Sequence, residues 1–570
     1  MDAAQPTPQL VKDSRCLTGP NLFFQQTGTV LDVSLPEVAA EQVIALWREQ
    51  VQDLLDAVGW SESAPHVRGY DGGASLGFTA PTDVLYAATE LNTTAWQAAL
   101  AQLDGKEFDR EAAVAKLTER LAKEHNPELL RLKDAAERRG VSFFHDGDRA
   151  TVGLGRGSQS WEVKQLPDPE QVDWSAIHNV PTVMVTGTNG KSSSIRILAQ
   201  LVKSAGLIPG LNSTENVQVG EVVLDTGDYS GPGGARMMLK DQRTEIGLLE
   251  VARGGLLRRG LGLSRTNAVL ITNVTPEHLR EYGIDCVEDL IAAKFVVTRA
   301  LEEDGVLVLN ADDAGLVEHA HTHPHPATLC WFSQNPDNPV LREHLAQGGR
   351  GCFTNNGQLI YAVGDQRQAL LAVNDIPCTM QGAAIHNISN CLGVVGLAKA
   401  LNFKTDTVIQ GLTSFRSDAS DNPGRGNLLD VGGVQVLIDY AHNVHGFEAL
   451  THLAKHLSAK RRLVMFGQVG SHTHAEICAM TEILACLKPE RVVVTEILDH
   501  LRGSQPGEIP EVIHQELRRQ GIPEDAISKS IDGLEGAKVA MQWAEPGDLL
   551  ILILITKRVA VMEFLSSFPA

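Results

Sequence analysis

Residues 185–194 read "VTGTNGKSSS". Glycines let backbone N–H groups converge on an oxygen anion, and a helix opening near Lys191 adds the positive end of its dipole. Lys191 then supplies a point charge to outer phosphates, and Ser192 offers a hydroxyl to Mg2+. The common phosphate loop, GxxxxGK[ST], needs glycine at 185, where Val185 stands. The shorter form Gly187-Thr188-Asn189-Gly190-Lys191-Ser192 keeps the same physics, with Ser193 following. It sits between the apolar run Val183-Met184-Val185 and the helix-like "IRILAQLV". Glu250 closes another apolar run, "EIGLLE". A carboxylate at a strand's carboxyl end beside a phosphate loop is placed to hold a cation.

The elements that must carry these groups follow from apolar patterning. "TVMVTG", "EIGLLEVA", "NAVLITNV" and "GVLVLNADD" are buried-strand candidates that end in polar residues and alternate with helical stretches. That is the pattern of a parallel α/β sheet with ligands at the strands' carboxyl ends. After "SDNPGRGN" (420–427) come "VQVLIDYAHN", "RRLVMFGQVG", "RVVVTEI" and "DLLILILI", which predict a second, smaller α/β domain. Residues 1–165 mix helical runs ("VLYAATELNTTAWQAALAQL", "REAAVAKLTERLAKEHNPELLRLKDAAERRG") with the short strands "VSFFHD" and "ATVGLG". "PDPEQVDWSAIHNVP" (167–181) is a proline-bearing connector. The expected division is an α+β domain over 1–165 and α/β domains over 166–420 and 421–570.

Composition narrows the function. The 570 residues are 43% hydrophobic and 21% charged, which suits large buried cores. A formal net charge of −21 repels a phosphate backbone, so no nucleic-acid partner is expected. The seven-residue run "LLILILI" (549–555) is too short to cross a bilayer. Eight scattered cysteines without a CxxC pair speak against structural zinc. Free thiols and an opening stretch without a signal-peptide core predict a cytoplasmic protein that does not engage membranes. "HAHTHPH" (319–325) is expected to be a mobile, solvated loop.

The phosphate loop is the first of an ordered series. "LLEVARGGLLRRGL" (248–261), "TNVTPEHL" (272–279), "AAKFVV" (292–297), "LNADD" (309–313), "HNISN" (386–390), "NPGRGN" (422–427) and "IDYAHN" (438–443) follow it. The series resembles the Mur ligase family of ATP-dependent amide ligases. "GDYSGPGGARMML" (227–239) and "HLRGSQPGE" (500–508) look like its cyanophycin synthetase branch, as do "LTGPNLF" (17–23) and "VGLGRGSQSWEV" (152–163). The ATP-grasp module that follows the last of these in that branch is missing.

The resemblance implies a central P-loop ATPase domain, a Rossmann-like C-terminal ligase domain, and ATP with Mg2+. A carboxylate is phosphorylated and an amino acid then attacks the acyl phosphate. By resemblance, Ser192 and Glu250 hold Mg2+, and His278 helps to hold a second metal. Glu277 replaces the aspartate that usually precedes that histidine, and Arg280 replaces a later acid. Lys294 aligns with a lysine that many relatives carbamylate; a plain surface lysine is the other reading. Asn310, Asp312 and Asn387 correspond to nucleotide motifs, and Asn387 is the best candidate for adenine. His386 and Asn390 serve either the pocket or helix packing. Arg425 is expected at the phosphates and Asp439 at the ribose or a phosphate-bound water. Both come from the C-terminal side, so the site should close when that domain swings in. His442 and Asn443 complete the last motif, with Val444 in place of proline. "GSHTH" (470–474) stands where relatives carry a Gly-Asp-Arg turn. Arg502 and Glu508 are candidates for the incoming amine, or else solvated loop charges. A homodimer and a separate ATP-grasp partner are both compatible with this reading. So is a non-catalytic nucleotide-binding scaffold.

Overall fold

The computed structural model describes residues 8–36, 40–277 and 279–568. Among these, four sheets organise the chain. An antiparallel sheet comes first, in the order Gln9–Leu17, Gly28–Ser34, Gly73–Thr79, Pro65–Tyr70. Alternation along its strands sorts the two faces. Leu31, Val33, Leu76 and Phe78 pack against helices Ala40–Ala57 and Leu85–Leu103. Asp32 points the other way and is held by Arg15 at 2.8 Å and Ser75 at 2.7 Å.

The helical run that begins at Arg110 divides into Arg110–Glu124 and Pro127–Glu137. Asn126 caps the second helix by accepting the Leu129 amide at 3.0 Å, and Pro127 occupies its first turn. Proline is tolerated there because that amide has no intrahelical partner. A three-stranded sheet, Phe143–Asp146, Arg149–Val152 and Gln159–Glu162, then leads into the connector.

The central sheet has eleven strands built from residues 182–372. Its seven middle strands are parallel, in the order Pro209–Asn212, Ile246–Glu250, Thr182–Thr186, Thr266–Ile271, Leu301–Asn310, Thr328–Ser333, Arg350–Asn355. Both faces are covered. Met184, Val269 and Leu307 enter one core, while Val183, Val185 and Leu270 enter the other with helices Lys191–Ser204 and Ile385–Ala400. This double burial explains why the strands read as continuous apolar runs.

The last sheet has six strands: Asn427–Val431, Val434–Asp439, Leu549–Ile553, Arg462–Phe466, Arg491–Thr495, Ile527–Ser530. All but the first are parallel. The apolar run at 549 lies in the middle, with alternate residues in two cores. The expected α/β architecture is therefore present. Among the described residues, no helix is long and apolar enough to cross a membrane.

The histidine-rich stretch corrects an expectation. His319 and His321 lie in helix Ala314–Thr322, not in a loop. The His319 ring stacks at 4.3 Å on His323 and 4.2 Å from Phe295, and His325 meets the Thr298 carbonyl at 3.2 Å.

Candidate active site

The carboxyl ends of the central strands open into a cavity of about 1030 Å³. Strand Thr182–Thr186 delivers the glycine loop to it, and helix Lys191–Ser204 leaves from it. Gly187 has φ 143° and Gly190 φ 88°, a region that L side chains rarely adopt. A Cβ on Gly187 would lie 1.9 Å from Thr272 Oγ1, and one on Gly190 2.3 Å from Asn390 Oδ1. Thr272 and Asn273, at the end of the neighbouring strand, shape the loop. Thr272 Oγ1 donates to the Asn189 carbonyl at 2.6 Å, and Asn273 Oδ1 accepts the Asn189 amide at 3.0 Å. The first intrahelical bond runs from the Ser194 amide to the Gly190 carbonyl at 2.9 Å. The amides of Lys191, Ser192 and Ser193 precede it, so the helix offers them to an anion. Lys191 Nζ curls onto the carbonyls of Gly187 and Thr188, at 2.9 and 2.8 Å.

Glu250 ends the adjacent strand, in register with Val185. It is 1% exposed, and neither carboxylate oxygen has a donor in hydrogen-bond geometry among the described residues. Burial raises its pKa, while Lys191 and Arg425 pull it down. An orphaned buried carboxylate beside the Ser192 hydroxyl has the donor set of a hard divalent cation. Thr214 joins this corner, 3.4 Å from Ser192 Oγ.

Glu277 organises the opposite wall. Its carboxylate lies 3.7 Å from Lys294 Nζ, 4.0 Å from His442 Nε2 and 3.5 Å from Asn443 Nδ2. Lys294 is 2% exposed, which removes the surface-lysine reading. Burial lowers its pKa to about 7, against the pull of Glu277. His442 is lowered to about 4, again mainly by burial. His278 lies outside the described residues.

The remaining candidates divide. Asn387 lines the cavity, donates to the Cys378 carbonyl at 2.8 Å and accepts from Asn390 at 3.1 Å. That leaves one N–H and one lone pair of its carboxamide. Asn310 bonds the Thr272 carbonyl at 3.0 Å and the Asp312 amide at 2.9 Å. Asp312 accepts from Ser333 at 2.5 Å and from the Gln334 amide at 2.8 Å. Both residues brace the wall. Burial holds His386 at about 4.

From the C-terminal side, Arg425 donates to Thr214 at 3.2 Å and lies 3.5 Å from Glu215. Asp439 accepts the Gly426 amide at 2.8 Å and is raised by burial to about 6. Asn443 caps helix Val444–His456 and exchanges 3.1 Å hydrogen bonds with the Asn189 side chain, which also meets His445 at 3.1 Å. Arg502 lines the cavity. Glu508 does not. It accepts the Gln505 amide at 2.8 Å and sits 3.4 Å from His474, at the start of its own helix.

Three contributors were not singled out in the sequence: Thr214, Arg253 and Glu215. Arg253 lines the cavity, pairs with Glu281 at 2.6 Å and keeps Nη1 buried without a hydrogen-bond partner among the described residues. Glu215 meets Arg196 at 2.7 Å, Arg425 at 3.5 Å and Arg558 at 2.9 Å. Thr214 and Glu215 lie between two strands in "STEN", where only their contacts mark them out.

Comparison with known proteins bears on this geometry. Residues 185–398 match the Mur ligase middle domain, and residues 424–553 match the Mur ligase glutamate ligase domain. By these two domains, the chain belongs to the Mur ligase family. Cyanophycin synthetase from Trichormus variabilis is 31% identical over 66% of this chain and 41% of that protein. The chain thus spans about two-fifths of the length of the cyanophycin synthetases it matches. A UDP-N-acetylmuramoyl-L-alanyl-D-glutamate–2,6-diaminopimelate ligase from Syntrophomonas wolfei is 22% identical over 66% of this chain and 73% of that protein. The structure of E. coli FolC in complex with DHPP and ADP shares the Mur ligase fold, with a TM-score of 0.50 and 15% identity. The match covers 68% of this chain and 89% of FolC.

Proposed function

We propose that this protein is an ATP- and Mg2+-dependent ligase that joins an amino-acid or peptide carboxylate to an amino acid. One observation carries the reading. A phosphate loop, a buried carboxylate without a donor in hydrogen-bond geometry among the described residues, and an arginine from the C-terminal lobe converge on one cavity, and the buried Lys294 backs Glu277 in its wall. Phosphate loops alone serve many reactions. A site walled by a second α/β lobe suits a reaction whose intermediate must be kept from water.

In this reading the glycine-loop amides and Lys191 hold the β- and γ-phosphates. The acid's oxygen attacks the γ-phosphorus and ADP leaves. The amine nitrogen then attacks the acyl carbon, phosphate departs and the nitrogen loses a proton. Ser192 and Glu250, with His278 and Lys294 at a second position, would hold divalent cations, which neutralise charge on the phosphoryl oxygens. A lysine near pKa 7 is partly neutral at physiological pH. Its amine can add CO2 and release a proton, giving a carbamate that turns a cation into an anionic ligand. Arg425 faces the phosphates, Asp439 the ribose, and Asn310, Asp312 and Asn387 the base side.

The acid fits the arm lined by Ser230, Gly231 and Arg253, whose guanidinium has one nitrogen without a hydrogen-bond partner among the described residues and suits a carboxylate. The amine fits the side of His442, Asn443 and Arg502. Glu508 stands outside that wall, so its candidacy for the incoming amine is not carried forward.

The test is ADP release against a panel of amino acids and β-aspartyl peptides, with product masses read in parallel. One acid–amine pair should release ADP and give a product lighter by one water than its parts. Lys191→Ala should lower that rate on the order of 100-fold or more. Substrate-independent ADP release, or a Lys191→Ala enzyme with normal turnover, would overturn the reading.

A further inference from the structure

The N-terminal sheet reaches the active site through the chain between Glu277 and Lys294. Residues 279–289 leave the cavity wall, turn, and start helix Val287–Phe295, which carries Lys294. The turn places Arg280 at φ 68°, Tyr282 at φ 56° and Gly283 at φ 66°. Left-handed non-glycine residues persist where their surroundings over-determine them. Here those surroundings belong to the N-terminal sheet, on the face that its helices leave uncovered.

Arg68 is the central contact. Its Nη1 donates to the Gly283 carbonyl at 2.5 Å, and its Nη2 pairs with Asp289 at 2.6 Å. The other Asp289 oxygen accepts the Asp285 amide at 3.0 Å, inside the first turn of the helix. The Asp71 amide donates to Asp285 at 2.7 Å, and Lys12 Nζ sits 3.4 Å above the Tyr282 ring. Gly283 packs against Tyr70 so closely that a Cβ would come within 2.3 Å of the ring.

The same sheet holds the far side of the site. Arg15 Nε donates to the Leu257 carbonyl at 3.2 Å, and the Thr18 amide to the Arg259 carbonyl at 2.8 Å. Both carbonyls belong to helix Arg253–Arg259, whose first residue lines the cavity. The two members of the Arg253–Glu281 ion pair therefore sit on segments that are each fastened to the N-terminal sheet.

We propose that the N-terminal sheet is a clamp, and that Arg68 is a positioning residue for Glu277, Glu281 and Lys294, acting through Gly283 and Asp289. This rests on the ligase reading above. Arg68 touches no lining residue of the cavity's phosphate end, so it should leave nucleotide affinity alone and govern the chemical step.

The test compares Arg68→Ala, Arg68→Lys and, as a control on the same sheet's outer helices, Arg110→Ala, whose partner is the exposed Asp53. Three readouts are taken: hydrogen–deuterium exchange of peptides covering 279–295, affinity for AMPPNP, and the rate of ADP release with acid and amine. Arg68→Ala should lose exchange protection over 283–290 and lower kcat about 10- to 100-fold, as small misplacements of reacting groups do. AMPPNP affinity should stay within about twofold of wild type, while a general loosening of the fold would lower it. Arg68→Lys keeps the pair with Asp289 and should recover part of kcat. Arg110→Ala should match wild type throughout. Unchanged protection, or lost protection with unchanged kcat, would overturn the clamp. If wild type releases no ADP with any pair, the ligase reading fails, and the exchange data still decide whether Arg68 fastens the loop.

Discussion

Glu250 shows at the scale of one residue what the site is for. A carboxylate that is buried with no donor in full hydrogen-bond geometry among the described residues, and only the Ser192 hydroxyl beside it, costs the fold free energy, and burial has already pushed its pKa up. That cost has a purpose if a cation completes the site. Glu250→Gln removes the charge at nearly constant shape. Without metal, the variant should be as stable as wild type or more stable, by about 1–3 kcal/mol in thermal denaturation. With Mg2+ and AMPPNP, wild type should gain stability and the variant should gain little. A variant that is less stable without metal would mean that Glu250 is satisfied from within. This residue was legible in the sequence because it is tied covalently to the end of an apolar strand, as Lys191 and Ser192 are tied to the next. Arg253 and Thr214 were not legible as site residues. Arg253 lies in a quoted motif, but only the cavity shows which of its arginines turns inward. Glu508 misled for a related reason: a carboxylate in the right loop also serves to brace the turn before its helix, by accepting the Gln505 amide, and sequence does not separate those uses.

Among elements, strands were the easiest to read, because a parallel sheet buried on both faces requires unbroken apolar runs at Val183, Leu248, Val269 and Leu307. The helix at Ala314–Thr322 was hidden by its histidines, and the packing of His319 on Phe295 is a tertiary fact. So was the junction at Glu215. This side chain links helix Lys191–Ser204, through Arg196, to the linker at Arg425 and to the last helix at Arg558. The arginines depress its pKa against the opposing effect of burial. Its folded pKa lies below the unfolded value, so its stabilisation is complete above about pH 4.3 and disappears as pH falls through the folded pKa. Glu215→Gln leaves Arg196 and Arg425 facing one another without their shared anion. At neutral pH it should cost about 3 kcal/mol. The difference in Tm between variant and wild type should shrink as the medium is acidified below that value. A difference that stays constant with pH would mean that the carboxylate charge contributes nothing at this junction.

For the molecule as a whole, what matters is how the two α/β lobes meet. The C-terminal sheet has two cores, and one of them takes in Ala384 from just before helix Ile385–Ala400 of the central lobe. Its bonds to the phosphate-loop region are polar: Asn189 to Asn443 and His445, Asn422 to Ser193, Arg558 to Glu215. Lobes joined by polar bonds and one small apolar contact, at Ala384, move relative to one another by default, and each unfolds on its own terms. A ligand held by Lys191 on one lobe and by Arg425 and Asp439 on the other adds its binding energy to the seam. Calorimetry without nucleotide should therefore resolve more than one transition. Saturating AMPPNP with Mg2+, at about 100 times its Kd, should add about 2.7 kcal/mol and draw the transitions of the two lobes together. Arg425→Ala should keep part of the gain in the central lobe while the C-terminal transition stays where it was, because the phosphate loop still binds but the bridge is cut. If AMPPNP raised only the central transition in wild type as well, the nucleotide would sit on one lobe alone, and the C-terminal arginine would have no part in the chemistry assigned to it.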